Sequence, residues 1–154
     1  MKKTLLVVWH SQSGDTRRLL DAVLRGARDP VFVDIEVNAV EALVATPDDV
    51  LRADALLLAT PENFGYMSGG LKVFFERIYH PCLEHTQGRS FGLLVRAGND
   101  GSGACNSIER ITTGLRWRLV VPPVIVKGAL DEEAFAACEQ LGATLAAGLD
   151  AGVF

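Results

Sequence analysis

Three short polar stretches hold the residues of this chain whose types and spacing could do chemistry. The first, His10-Ser11-Gln12-Ser13-Gly14-Asp15-Thr16, follows an apolar run and leads straight into a helix-period segment. Hydroxyls at Ser11, Ser13 and Thr16, with the free N–H groups of a helix N-terminus, make a neutral nest for a phosphate dianion. Helix capping by Ser13 or Asp15 explains one such group, not three hydroxyls and Gly14 in one loop. Arg17 and Arg18 either reach the phosphate or lie on a solvated helix face. His10, flanking the loop, is a further candidate donor.

The second stretch is Pro61-Glu62-Asn63-Phe64-Gly65-Tyr66-Met67-Ser68. Phe64 and Tyr66 offer stacking surface, Gly65 allows close backbone approach, and the backbone of Glu62 and Asn63 offers polar groups. Read structurally, it is a connector with Ser68 as helix cap and the aromatics turned inward. The third, Ala97-Gly98-Asn99-Asp100-Gly101-Ser102-Gly103, is a flexible turn able to present N–H groups. His80, Cys82 and His85 are potential metal ligands in one span, but no fourth partner is apparent, and a helix-to-strand loop explains them. Cys105 and Trp117 read as packing residues.

The elements that must position these stretches alternate strand and helix. Leu5–Trp9 and Ala55–Ala59 are continuous apolar runs, as expected of central parallel strands buried on both faces. Val31–Val37 alternates apolar and polar like a half-exposed edge strand. Phe91–Val95 is the fourth strand, and Val120–Val126 the fifth, interrupted by Pro122-Pro123 as only an edge or bulge tolerates. Helices are predicted over Gly14–Gly26, Pro47–Arg52, Gly69–Tyr79, Ser102–Leu115 and Asp131–Leu149, the last with acidic residues in its first turn. The pattern predicts an α/β three-layer αβα sandwich on a five-stranded parallel sheet of order 2-1-3-4-5. In such a sheet, ligands bind at the carboxyl ends of the strands, where all three stretches fall.

At 154 residues the chain reads as one domain, residues 1–154. Fifteen basic against 19 acidic residues give a net charge of −4, which argues against a nucleic-acid partner. Three widely spaced cysteines without a C-x-x-C read as reduced thiols, two of them facing the core. No apolar run approaches the ~18 residues of a membrane span, and the start does not read as a signal peptide. These features predict a soluble, cytoplasmic protein. A dinucleotide fingerprint and a phosphate-binding lysine loop are absent, as are the acidic residues of a receiver domain and a first-loop cysteine.

Taken together, the motifs resemble a known family. Ser11-x-Ser13-Gly14-x-Thr16 is similar to the phosphate loop of flavodoxins. Pro61–Lys72 resembles the flavin-wrapping segment of the NAD(P)H-dependent FMN reductase and tryptophan-repressor-binding-protein branch. Ala97–Gly103 matches the position of the third flavin loop. The resemblance spans nearly the whole chain and implies a flavodoxin-like FMN-binding protein. It implies FMN contacts from Ser11, Ser13, Gly14, Asp15 and Thr16, from Pro61, Glu62, Asn63, Phe64, Gly65 and Tyr66, and from Ala97, Gly98, Asn99, Asp100 and Gly101. Asp15 departs from the family, and its charge opposes a phosphate unless it points outward.

No catalytic side chain is implied, because the flavin carries the chemistry. The resemblance implies an FMN-dependent oxidoreductase taking electrons from NAD(P)H and passing them to a quinone, flavin or similar small acceptor. The alternative is a flavodoxin-type electron-transfer carrier between partner proteins, and a third reading is an FMN-binding domain turned to regulation. Carriers of this kind are more acidic; Arg17, Arg18, Arg96 and nearby Arg89 beside Glu62 and Asp100 give a mixed rim that suits a nicotinamide donor. The resemblance also suggests a homo-oligomer whose second subunit completes the site.

Overall fold

A computed structural model describes residues 1–154. The central strands are β1 (Lys3–Trp9), β3 (Ala55–Asn63) and β5 (Ser90–Ala97), joined in parallel with Leu5–Trp9 opposite Ala55–Ala59 and Ala55–Pro61 opposite Ser90–Arg96. Strand β2 (Ile35–Glu41) flanks β1. The fifth place is shared: β6 (Arg118–Leu119) pairs with the start of β5 and β7 (Val124–Lys127) with its end. Pro122 and Pro123 fall between these halves, as residues that cannot donate to a ladder must. The parallel frame therefore has the expected 2-1-3-4-5 order. The sheet counts seven strands because the fifth is split and because β4 (Tyr66–Met67) folds back antiparallel on β3.

Successive residues of the central strands feed opposite layers. Leu6, Val8, Leu56, Leu58, Leu93 and Val95 pack with Phe74, Phe75, Ile78 and Ile108, which come from α3 (Gly69–Cys82) and α4 (Ser102–Leu115). Leu5, Val7, Leu57, Ala59 and Leu94 pack on the other face under α1 (Asp15–Ala27) and α5 (Glu132–Asp150). The short α2 (Pro47–Arg52) is closed by a capping box: the Asp49 N–H donates to Thr46 Oγ1, and the Thr46 N–H to Asp49 Oδ2. No helix is long and apolar enough to cross a membrane.

Three sequence expectations shift. The second strand begins at Ile35, not Val31, because Asp29 and Pro30 start a chain of turns. The Val31 N–H donates to Asp29 Oδ1, the Phe32 N–H to the Asp29 carbonyl, and the Ile35 N–H to the Phe32 carbonyl. These bonds take the backbone groups a ladder needs, and Val31 and Val33 stand in solvent. His80 and Cys82 belong to the last turn of α3 rather than to a loop. All three cysteines are buried free thiols, not two.

Candidate functional site

The three predicted stretches converge at the carboxyl ends of β1, β3 and β5. After β1, Gly14 adopts φ 99°, a left-handed conformation open to glycine, and turns the chain into α1 with no side-chain cap. Neither Ser13 nor Asp15 caps the helix. The backbone N–H groups of Gln12, Ser13, Gly14, Asp15 and Thr16 have no acceptor within the protein. Ser11 Oγ accepts only the Arg17 N–H, at 3.3 Å. Five amides, an unobstructed Gly14 and the aligned dipole of α1 together form a site for an anion.

Asp15 does not face that nest freely. Its Oδ2 lies 3.1 Å from both Nε and Nη2 of Arg96, at the end of β5. Arg96 also donates to the Gly128 carbonyl at 2.7 Å. The pair cancels the charge that sequence alone set against the phosphate. The other arginines of the expected rim are also committed. Arg17 lies over the Trp9 ring (4.8 Å) and pairs with Asp21; Arg18 lies over Phe135 (5.5 Å). Arg89 is not on the rim. It sits at the opposite end of β5, donating to the carbonyls of Val50 and Ala53.

The second stretch is mostly strand. β3 runs on to Asn63, and only Phe64 and Gly65 form the turn before β4, both with positive φ (54° and 67°). That is the backbone of a tight two-residue hairpin, which Asn-Gly fills with less strain than Phe-Gly. Phe64 stands fully in solvent and Tyr66 is 42% exposed, so the aromatics do not pack inward. Ser68 does cap α3, accepting the Leu71 N–H, and its own N–H donates to Thr60 Oγ1.

The third stretch turns through Asn99-Asp100-Gly101 into α4, with Asp100 Oδ1 accepting both the N–H and the hydroxyl of Ser102. Those bonds hold the Asp100 carboxyl below its ordinary range. Burial pushes the Cys105 thiol up, and Glu109, Glu62 and Asp100 push the same way, which leaves it a poor nucleophile.

Side chains tie the three stretches together in pairs. Asn63 Nδ2 donates to Gln12 Oε1 at 2.8 Å, joining the second to the first. The Gly98 and Asn99 N–H groups donate to Glu62 Oε1 at 3.2 and 2.6 Å, joining the third to the second. Asp15 and Arg96 join the first to the end of β5. The hairpin also rests on α4: the Met67 N–H donates to Ser107 Oγ, and Gly103 lies so close that a Cβ there would collide with the Gly65 carbonyl. Sequence reasoning missed Gln12 and the pairing of Arg96. A charge at the end of an otherwise apolar strand was the available signal for Arg96; Gln12 gave none.

Two buried side-chain atoms lack a hydrogen-bond partner, His10 Nδ1 and Glu62 Oε2. Both belong to residues at the carboxyl ends of β1 and β3, and the His10 ring is pressed against Gly70 at the start of α3. Orphaned polar atoms and a run of free amides in one place fit a phosphate-bearing ligand with a polar edge. A surface groove of about 430 Å³ lies elsewhere, between α3 and α4 beside Phe75, Tyr79 and Arg110.

A doubly wound sheet with an anion nest after β1 and an aromatic hairpin after β3 defines a flavodoxin-like FMN protein. A family model described as NADPH-dependent FMN reductase matches residues 24–129, and the chain belongs to that family. It is an FMN-dependent oxidoreductase, with NAD(P)H as electron donor. A flavodoxin of Aquifex aeolicus (strain VF5) is 27% identical over 92% of this chain and 84% of its own length. An NAD(P)H dehydrogenase (quinone) of Acidithiobacillus ferrooxidans is 29% identical over 47% of this chain, a match spanning 46% of that protein. A WrbA-like flavodoxin from Agrobacterium tumefaciens shares the fold, with a TM-score of 0.74, 20% identity and coverage of 95% and 96% of the two chains.

Proposed function

We propose that this chain, as one FMN-binding unit of residues 1–154, passes electrons from NAD(P)H to a quinone, a flavin or a similar small acceptor in the cytoplasm. The observation that carries the reading is the set of three loops tied in pairs around unpartnered amides, with an aromatic hairpin tip left open. FMN supplies hydride acceptance and onward electron delivery when bound. The chain supplies binding and orientation. The amides of Gln12 to Thr16, with the hydroxyls of Ser11, Ser13 and Thr16, hold the phosphate, while Arg96 keeps the Asp15 charge neutralised. Phe64 and Tyr66 offer stacking surface to the ring, and the turn Ala97–Gly101 closes the opposite border. An exposed tip leaves the ring accessible to a small second substrate.

A carrier role has its own support. The Aquifex relative named a flavodoxin is matched over most of both chains. With Arg89 at the far end of β5, and Arg17 and Arg96 paired with Asp21 and Asp15, the rim is less basic than the sequence suggests. Anaerobic mixing of the FMN-loaded protein with NADPH, and separately with NADH, distinguishes the two. Rapid loss of the yellow absorbance, restored by a soluble quinone, is the expected result. No loss with either donor, together with an accumulating one-electron-reduced flavin on chemical titration, establishes the carrier instead.

A further inference from the structure

A groove starts at Tyr66 of the β3–β4 hairpin and continues between α3 and α4. Its part beside the hairpin, about 200 Å³, is bordered by Tyr66, Asn106 and Arg110. Its part between the helices, about 430 Å³, has the size of a small-molecule site, and Arg110 borders both. On α4, residues 103, 106, 107, 110, 111 and 114 recur at helical spacing and share one face. Gly103 lies against the Gly65 carbonyl at the hairpin tip, and Arg110 stands seven residues on, about 10 Å along the helix axis. Farther along, Tyr79 reaches across from α3 to Gly114, where a Cβ would collide with its hydroxyl. Phe75 and Ile111, both packed with the core, give the groove apolar surface.

The free charge in this groove is positive. Lys72 is paired with Glu76 at 3.1 Å, and Glu109, although next to Arg110 in the chain, does not line the groove. Arg110 is exposed, and none of the chain's ion pairs includes it. Arg17, Arg77 and Arg96, by contrast, are held by a ring, by backbone carbonyls and by a carboxylate. An uncommitted guanidinium between two tyrosines, beside apolar surface, suits a planar heterocycle that carries a phosphate. We propose that this groove takes the adenosine 2′-phosphate end of NADPH, with Arg110 on the phosphate and Tyr79 beside the adenine, and so selects NADPH over NADH. The proposal rests on the reading that FMN lies at the hairpin and is reduced by a nicotinamide donor. NADPH carries its 2′-phosphate at the end remote from the nicotinamide. A contact to that phosphate must therefore stand away from the flavin ring, in a groove that leads to it, and Arg110 meets both conditions. NADH has a hydroxyl at the same position and gains no charge-assisted bond there.

Adenosine 2′,5′-bisphosphate, which has the phosphate but no nicotinamide, tests the site without any turnover. The full-length protein, loaded with FMN to fill the anion nest, is titrated with it and followed through backbone amide NMR signals; adenosine 5′-monophosphate is the control. The bisphosphate should shift the signals of Asn106, Arg110 and Ile111 and bind about tenfold more tightly than the monophosphate, the scale of one charge-assisted contact. Arg110→Gln, an exposed substitution that leaves the core untouched, should remove that difference, and Arg110→Lys, which keeps the charge, should retain part of it. In turnover, Arg110→Gln should lower the ratio of kcat/KM for NADPH to that for NADH by about tenfold. Equal binding of the two nucleotides, shifts confined to residues 11–16, or an unaltered preference in Arg110→Gln overturns the proposal. Because the titration is read residue by residue, it reports on the groove even in a protein that holds no FMN. Reduction by neither donor refutes the reductase reading instead, and Arg110-dependent binding of the bisphosphate would still support the nucleotide site.

Discussion

Replacing Phe64 by asparagine should stabilise the apoprotein while weakening its hold on FMN. Phe64 adopts φ 54° at the hairpin tip and makes no compensating buried contact, being 107% exposed. A left-handed conformation costs an ordinary L-residue roughly 1–2 kcal/mol, and asparagine is among the few residues that adopt it readily. Asparagine followed by glycine, as the substitution would create with Gly65, is also the preferred sequence of a two-residue hairpin. With no packing to lose, the net gain is about 1 kcal/mol, or an increase of about 3 °C in Tm for a chain of this length. The lost ring removes stacking of about 0.5–1.5 kcal/mol, a two- to tenfold rise in the FMN dissociation constant. Thermal unfolding of the apoprotein and fluorescence titration with FMN measure the two effects separately. A lower Tm would show that the tip is not strained, and an unchanged affinity would show that Phe64 does not face the flavin. Either result refutes the reasoning, since backbone strain at an exposed aromatic has a rationale only if the aromatic serves a ligand.

Other expectations follow from the same geometry. Ser13→Glu places an anion among the free amides and should weaken FMN binding by roughly tenfold or more; unchanged affinity by fluorescence titration would mean that the phosphate lies elsewhere. Gly103→Ala drives a Cβ into the Gly65 carbonyl, so urea unfolding should show a loss of about 1–3 kcal/mol at unchanged m-value. The wholly buried Cys138 thiol is pushed up by burial from its ordinary 9.0 to about 11. Between those values the unfolded chain releases the proton and the folded chain keeps it. Stability is thus complete below that window and falls as pH rises through it, by up to about 1.4 kcal/mol per pH unit. Urea titrations across the window should show a shallower fall for Cys138→Ala than for wild type, and parallel slopes would contradict the assignment.

The frame is written in local patterns of residues. Buried parallel strands read as unbroken apolar runs, so Leu5–Trp9, Ala55–Ala59 and Phe91–Val95 were legible without neighbours. Pro47–Arg52 and Ser102–Leu115 were legible to the residue, because caps and glycines mark helix ends locally. The positions of the three turns were legible as well, since glycines and hydroxyls cluster where a strand must turn, although Pro61–Asn63 continues β3. Val31–Val37 was misplaced because alternation cannot reveal that Asp29 claims the Val31 amide and spends the next residues in turns. How the loops hold one another is a property of the folded chain alone. The partners in these ties, Asp15 with Arg96, Gln12 with Asn63 and Glu62 with Gly98 and Asn99, lie between 36 and 81 positions apart. No local preference encodes such pairs; they form because parallel strands deliver their carboxyl ends to one edge of the sheet. The same convergence turned Asp15 from an obstacle to a phosphate into one half of an ion pair, and left Glu62 buried without one.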